Sequence, residues 1–398
     1  MTIDRKGRPL GAVQVAKEIQ ELPTYTFLEH YGGPSPSYMK RKEMADYIAA
    51  RAEKKRVRHF IKFRHQVQDV TYDAATRQFR VKIHDLAAGS TTIDTADFLF
   101  VCTGHYWFPC LPKIEGLQSF PGKVLHSKDF KDAKEMKGQH VLCVGNHYSG
   151  EDIAITCVKY GATGATVCYR TQRSENIWPA NIDERPNVQR VEGQTVHFID
   201  GSTLQPDTII LCTGYLHHYP FLPEPLRLEA ANDLYPPNLY KGIVWQKNNQ
   251  LFYIGAQDQA FSLPMIDVQA HYARDIVVGR IKVPSAAEQE KDIQTWLQKK
   301  ATEIKDANSF MSFQFAYVAD LVSSLPDYPS TPAKVWEQGE QLRAWYADKI
   351  SHCLADMRNH TYTSVHTGLQ GKKPPVMWQD DFTDESYDIV QGGVEADN

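Results

Sequence analysis

The residues with the clearest chemical potential lie in a turn bounded by Gly145 and Gly150. The turn follows the apolar run 141–144 and precedes a segment whose apolar residues recur at helical spacing. Such a turn directs the free N–H groups at the start of a helix towards an anion, as in dinucleotide-binding crossovers. Gly145 would permit the tight turn and Gly150 the close helix–strand packing, while His147 replaces the second glycine of G-x-G-x-x-G.

An arginine stands at the end of the next predicted strand. Arg170 follows Gly150 by 20 residues, and Thr171 comes directly after it. An acidic residue at this distance would bind the ribose hydroxyls of NAD, whereas an arginine suits the 2′-phosphate of NADP. Arg173 could assist, and a solvated arginine at a strand end is the alternative. The turn and the arginine together predict an NADP site.

A second motif precedes the turn. Phe120, Gly122, His126 and Phe130 fit the pattern F-x-G-x-x-x-H-x-x-x-F/Y. A loop with one buried histidine and packed aromatic residues is the simplest explanation of such a segment. Four matches at fixed spacing, shortly before a nucleotide turn, favour a specific motif instead. We predict an architectural role for it and assign His126 no catalytic proton transfer.

The same tripeptide ends two apolar strands. Cys102-Thr103-Gly104 follows the run 98–101, and Cys212-Thr213-Gly214 follows the run 208–211. The two copies bracket the crossover unit, so the simplest geometry is one domain inserted into another, with both crossings near a ligand crevice. We predict an α/β fold of two nested Rossmann-like domains followed by a helical C-terminal region. The predicted boundaries are 1–112, 113–216 and 217–398.

The hydrophobic pattern predicts further elements around these motifs. A helix is expected at 38–54, strands at 60–63 and 67–72, and a hairpin at 79–84 and 93–97. The run 98–101 is fully apolar, which is typical of a parallel strand covered on both faces. Helices are expected at 286–304, 309–325 and 333–357, and residues 361–398 are expected to form a loosely packed tail.

Composition excludes several classes of protein. The 398 residues carry a formal net charge of −4, which points to neither nucleic acid nor an anionic membrane surface. No apolar run is long enough to span a bilayer, and the N-terminus has no apolar core of a signal peptide. The seven cysteines form no C-x-x-C pair, which argues against a zinc site, a disulfide framework and a dithiol reductase. A cytoplasmic location is expected.

From about residue 25 to residue 284, the chain resembles the flavin-containing monooxygenases, most closely the bacterial type that oxidises trimethylamine. Besides the Phe120 motif, the matching segments are TYTFLEHYG, Tyr148-Ser149-x-Glu151-Asp152-Ile153, CYRT, WP…DERPN, ILCTGYLHHYPFL, NLYKGIVW, FYIGAQDQ and QAHYARD. They occur in the family's order and cover roughly two-thirds of the chain. The resemblance implies FAD and NADPH as cofactors, and oxygenation by O2 of a soft nucleophile such as a tertiary amine or a sulfide.

The resemblance also implies which residues hold the cofactors. By motif match, Tyr148, Ser149, Arg170 and Thr171 would contact NADP(H). The segments Cys102 to His105 and Gly255 to Asp258 would lie near the flavin or the crevice. Gln257 is the best candidate for a flavin contact, and a simple strand-end turn at Gln257 and Asp258 is the alternative. No catalytic acid or base and no metal is implied, and the helices after Pro284 could support a homodimer.

One expected feature of the family is missing from the sequence. The strand, Gly-x-Gly-x-x-Gly turn and acidic residue that would bind FAD do not occur before Tyr25, and residues 4–9 resemble a loop that lies further along in the family. We therefore expect a truncated FAD domain with an uncovered sheet edge and weaker flavin binding. The alternative to a working monooxygenase is a truncated NADP(H)-binding protein without flavin turnover.

Overall fold

The structure is a computed structural model that describes residues 2–3, 9–10, 15–229 and 233–383. Most of the segment 4–9 on which one expectation rests, and residues 384–398 of the expected tail, lie outside these ranges. Within them, none of the helices combines the length and apolar character that a bilayer crossing requires.

The helices and strands follow in chain order. The α-helices are α1 (Phe27–Tyr31), α2 (Arg41–Lys54), α3 (Tyr148–Lys159), α4 (Ser262–Val277), α5 (Ala286–Glu303), α6 (Ala307–Ser323) and α7 (Pro332–Ser351). Strands β1 to β10 are Thr2–Ile3, Pro9–Leu10, His65–Asp73, Gln78–Asp85, Thr91–Ala96, Leu99–Val101, Phe108–Pro109, Lys123–His126, His140–Val144 and Gly164–Tyr169. Strands β11 to β19 are Ile182–Pro186, Val188–Glu192, Thr195–Phe198, Thr203–Leu204, Thr208–Leu211, Tyr215–Leu216, Leu239–Tyr240, Val244–Trp245 and Leu251–Tyr253.

A five-stranded parallel sheet carries the glycine-bounded turn. Its strand order is β11-β10-β9-β15-β8, and every neighbouring pair is parallel. The chain leaves β9 through α3 towards β10 on one side, while β15 lies on the other side of β9. The strand order therefore reverses beside β9, which is where open α/β sheets bind their ligands.

The chain enters and leaves this unit at one place. β7, before the unit, pairs with β16, after it, as an antiparallel two-stranded ribbon. The Thr213 hydroxyl donates to the Cys110 carbonyl at 2.6 Å, and the Cys110 N–H donates to the Gly214 carbonyl at 2.9 Å. The two crossings therefore run side by side at the end of β15, which is the geometry expected for an inserted unit.

A second sheet lies before and after the inserted unit in sequence. Its order is β17-β18-β19-β6, with β6 and β19 parallel, and the antiparallel sheet β3-β4-β5 shares its hydrophobic core. Two predictions were wrong here. Residues 58–60 form a 3-10 turn where a strand was expected at 60–63, and Phe60 is exposed. β6 is not covered on both faces, because Phe100 is 39% exposed. Within the described residues, β6 is also the edge strand of its sheet.

The C-terminal region packs against both sheets through helices close to the predicted ranges. α5 begins with a capping box, in which the Ser285 hydroxyl accepts from the Glu288 N–H and the Glu288 carboxylate accepts from the Ser285 N–H. The expectation of a loose tail was wrong for residues 361–383. Tyr362 and Ser364 are buried, and the Ser364 hydroxyl donates to the Glu21 carboxylate. This segment therefore packs against the N-terminal part of the chain.

Gly339 tests the packing of α7 on α6. A Cβ at this position would lie 2.4 Å from the ring of the fully buried Phe315. Alanine normally stabilises a helix relative to glycine by about 1 kcal/mol. We expect Gly339→Ala instead to lower the free energy of unfolding by about 1–3 kcal/mol, because the ring has to move. Urea denaturation measures this. Gly33→Ala, where no atom lies within 4 Å of the new Cβ, is the control and should leave stability unchanged or raise it.

Candidate active site

Two glycines hold the start of α3 against the ends of β9 and β15. Gly145 has a φ of +118°, and a Cβ there would lie 2.4 Å from the Cys212 carbonyl oxygen. A Cβ on Gly150 would lie 1.8 Å from the Gly145 carbonyl oxygen. Both predicted backbone roles, the tight turn and the close packing, are therefore confirmed. His147 has extended backbone angles, φ −89° and ψ −179°, so this position does not itself require glycine.

The helix that these glycines position is suited to anion binding. α3 begins at Tyr148, one residue before the predicted start, and no side chain caps its N-terminus. The first N–H groups of a helix have no acceptor within the helix itself, so this end can receive an anion. The exposed His147 lies just ahead of them. The helix macrodipole adds partial positive charge at the same point.

The predicted ribose-phosphate residues lie beside this turn. Arg170 and Thr171 follow β10 directly and are exposed. The Asn146 side chain donates to the Gln172 carbonyl at 3.0 Å, which fastens their loop to the turn. Arg173 is committed elsewhere, because its Nε lies 3.1 Å from the Glu184 carboxylate. No ion pair of Arg170 is recorded within the described ranges, so its guanidinium can meet a phosphate.

The histidine of the Phe120 motif joins the inserted unit to the crossing. His126 is buried at the end of β8, where its Nε2 donates to the Gly214 carbonyl at 3.1 Å and its Nδ1 accepts from the Lys128 N–H at 3.1 Å. Its ring packs edge-on against Tyr215, with ring centroids 5.1 Å apart. These contacts hold the Thr213-Gly214 strand end in place, as an architectural motif should.

The second pair of predicted segments meets because β6 and β19 are parallel neighbours. Their carboxyl ends lie side by side, and the His105 Nδ1 donates to the Gly255 carbonyl at 2.7 Å. Cys102, Thr103 and Gly104 are exposed at this edge, while Gly104 has a φ of +75°. The structure thus brings Cys102 to His105 and Gly255 to Asp258 together at one crevice.

One ring nitrogen of His105 makes no hydrogen bond among the described residues. Its Nε2 is buried and has no hydrogen-bond partner among the described residues. Burial lowers the pKa of the His105 imidazole, with the nearby Asp258 carboxylate opposing the shift. A neutral imidazole whose Nδ1–H is already used presents Nε2 as an acceptor. A ligand with an N–H or O–H group would satisfy it.

Tyr106 connects the ends of β6 and β19 to the end of β15. Tyr106 donates its hydroxyl to the Asp258 carboxylate, and its ring lies 5.4 Å from that of Tyr215. Burial raises the pKa of the Tyr106 phenol far above its usual range, with further contributions from Asp258 and Tyr148. The segment that follows β6 therefore meets the segment that follows β15 at this ring contact, while its tyrosine hydroxyl contacts the segment after β19. Sequence analysis did not single out Tyr106, although it directly follows a predicted segment.

Gln257 lies in a different environment from its neighbours. The residue is fully buried, its Nε2 donates to the Tyr317 hydroxyl at 2.9 Å, and its Oε1 accepts from Gln269 at 2.7 Å. Gln269 in turn accepts from the Gly255 N–H at 2.8 Å. The amide therefore supports the strand end from the core, and a flavin contact of Gln257 stays a prediction.

The comparisons with known proteins agree with this arrangement. The model of the flavin-binding monooxygenase-like family matches residues 12–174 and 171–333. The chain belongs to this family. It is 41% identical to trimethylamine monooxygenase of Methylocella silvestris over 96% of its own length and 83% of that protein. A monooxygenase activity that needs a flavin follows from family membership.

Solved structures place the whole architecture in the same family. The crystal structure of Tmm from Pelagibacter sp. strain HTCC7211 matches with a TM-score of 0.89 and 36% identity, over 96% of this chain and 86% of that one. S-allyl-L-cysteine S-oxygenase from Allium sativum shares the fold, with a TM-score of 0.72 at 21% identity over 86% of this chain and 80% of that one. The predicted α/β class with a helical C-terminal region is confirmed.

The tether through His126 predicts a pH dependence of stability. Burial lowers the pKa of this imidazole from its ordinary value of 6.5, so the unfolded chain takes up a proton at higher pH than the folded one. Stability should therefore fall as the pH drops below about 6.5. Protonation also removes the Nδ1 acceptor of the Lys128 N–H.

We expect His126→Gln to lose less stability than the native chain between pH 7.5 and pH 5.5, although the variant is less stable at pH 7.5. Urea denaturation at both pH values measures this. The exposed His59, changed to Gln, is the control and should keep the native pH dependence. An equal drop in the native chain and the His126 variant would contradict the assignment.

Proposed function

We propose that the protein is an NADPH- and FAD-dependent monooxygenase that uses O2 to oxygenate the nitrogen or sulfur of soft nucleophiles, with trimethylamine and other tertiary amines as preferred substrates. The observation that carries the proposal is the meeting of three strand ends: His105 after β6 donates to the Gly255 carbonyl after β19, and the Tyr106 ring lies 5.4 Å from the Tyr215 ring after β15. The name of the Methylocella relative supports the choice of amine.

The nucleotide turn fits NADP. Gly150 at the start of α3 packs closely on the Gly145 carbonyl at the end of β9. This packing sets the position of the helix start, where a pyrophosphate would approach the first N–H groups. Tyr148 and Ser149 would contact the pyrophosphate and the nicotinamide half. Arg170 and Thr171 would bind the 2′-phosphate by charge-assisted hydrogen bonds.

The crevice fits the redox-active end of a flavin. The buried acceptor on His105 and the exposed strand end Cys102 to Gly104 would offer the polar groups that a ring edge requires, with the segment Gly255 to Asp258 beside them. Thr213 and Gly214 would close the crevice from the side of the inserted unit. A flavin held here would supply the hydride acceptor for NADPH and the means of activating O2, with one oxygen atom going to the substrate and the other leaving as water.

The chain's own residues position these groups and exclude water. The rings of Tyr106 and Tyr215 pack against each other between the two strand ends. A dry crevice protects a reactive cofactor from side reactions, and no strong acid or base from the protein is needed. We accordingly propose the division into 1–112 and 217–398 for FAD, with 113–216 for NADP. The homodimer and the cytoplasmic location stay predictions.

Arg170 tests the choice of dinucleotide. We expect Arg170→Ala to weaken NADPH binding about tenfold or more, because a charge-assisted hydrogen bond contributes roughly 1.5–3 kcal/mol, while NADH binding changes little. Titration of both dinucleotides against each variant measures this. Arg173→Ala is the matched control on the same loop, because Arg173 is already paired with Glu184. Equal losses for NADPH and NADH would rule out the 2′-phosphate assignment.

The visible spectrum of the purified protein tests the flavin. We expect FAD to remain bound after incubation with excess FAD and gel filtration, and trimethylamine to accelerate NADPH oxidation and O2 consumption together. A protein that stays colourless yet binds NADPH would instead support the alternative of an NADP(H)-binding protein without flavin turnover. Flavin retention without amine-dependent oxidation would overturn the proposed substrate class.

A further inference from the structure

Two adjacent carboxylates lie near the start of α3, the end predicted to hold the pyrophosphate: Glu151 is in the first turn and Asp152 follows it. Glu151 and Asp152 are 7% and 9% exposed. Acidic residues at a helix N-terminus interact favourably with the macrodipole, but they repel a phosphate that binds at the same end. In a buried environment this repulsion is weakly screened. An anion site here therefore needs the two charges to be compensated.

Both carboxylates are paired with buried cations from the C-terminal region. The Lys349 Nζ on α7 lies 2.7 Å from one Glu151 carboxylate oxygen and 2.9 Å from the other. The Arg358 guanidinium, in the 3-10 turn Met357–Asn359, pairs with Asp152. Lys349 is 5% and Arg358 is 8% exposed. All four charged groups are thus withdrawn from solvent beneath the nucleotide turn.

The Lys349–Glu151 pair also contacts the groups proposed to bind NADP. The Lys349 ammonium lies 5.1 Å from the centroid of the Tyr148 ring, at the first residue of α3. The Asn176 side chain donates to Glu151 at 2.6 Å, which connects the pair to the loop that carries Arg170. One carboxylate therefore joins α7, the helix start and the ribose-phosphate loop.

We propose that Lys349 and Arg358 are positioning residues of the dinucleotide site, which neutralise Glu151 and Asp152 so that the start of α3 keeps its attraction for phosphate. The inference rests on the proposed binding of NADP at this turn. Net stability is a poor explanation for the pairs, because the desolvation of buried ions cancels much of their attraction. Their effect on an anion bound at the same helix turn is direct.

The sign of each single substitution separates this role from ordinary packing. Lys349→Met leaves Glu151 uncompensated, and we expect it to weaken NADP+ binding about tenfold. Glu151→Gln leaves Lys349 uncompensated, and we expect it to tighten binding about threefold. The double variant Glu151→Gln with Lys349→Met should bind within about twofold of the native chain. Arg358→Met and Asp152→Asn should repeat the pattern for the second pair.

Calorimetric titration with NADP+ measures the binding, and thermal unfolding establishes that each variant is folded. Lys241→Met is the matched control: Lys241 pairs with Asp292 and Asp320 at 2.8 Å in another part of the molecule, so its loss should change stability without changing NADP+ affinity.

The outcomes are separable. If both single variants of a pair weaken binding alike, or Lys349→Met leaves affinity unchanged, the charge-compensation role is wrong although NADP binding stands. If Lys349→Met does not fold, Glu151→Gln and the double variant still test the role. Only charge compensation predicts tighter NADP+ binding by Glu151→Gln and near-native binding by the double variant. If the native chain binds no NADP+, the proposed function fails together with this inference.

Discussion

The contact between Gly150 and the Gly145 carbonyl is the constraint on which the rest of the site depends. It leaves no room for a side chain at either position, because Gly145 is also pressed against the Cys212 carbonyl. The start of α3 is thereby fixed relative to β9 and β15 at once. The anion-binding end of the helix, the loop of Arg170 and the crossing at Gly214 take their places from this single close approach.

The C-terminal helices pack directly against the proposed nucleotide site and are not an appendage to the fold. Residues of β9, α3, α4, α6 and α7 belong to one continuous hydrophobic core. Within that core the charges beneath the turn are balanced across almost 200 residues of sequence, from Glu151 to Lys349. Folding of the C-terminal region and formation of an anion site at α3 are consequently coupled through both packing and charge.

Local sequence patterns predicted the elements whose conformation is set locally. The turn glycines and the repeated Cys-Thr-Gly ends were found because backbone geometry or hydrogen bonding at neighbouring residues demands those types. The strand expected at 60–63 failed because a short apolar run fixes neither conformation nor burial, and Phe60 is exposed in a 3-10 turn. The prediction of a loosely packed tail failed because this segment is held by residues distant in sequence, such as Glu21, which accepts a hydrogen bond from Ser364. Lys349 and Arg358 left no sequence signal at all, since a lysine or arginine on a polar helix is usually solvated.

The repeated Cys-Thr-Gly tripeptide gives the chain the same backbone turn on both sides of the crevice. Gly104 and Gly214 adopt similar left-handed conformations, with φ of +75° and +80°, and no neighbouring atom forces either one. Each glycine turns the chain away from its strand so that the following aromatic residues, Tyr106 and Tyr215, meet across the gap at 5.4 Å. Because the two strands belong to different sheets, the crevice exists only when both sheets are assembled. An enzyme that must bring two cofactors together while excluding water gains that property from this arrangement.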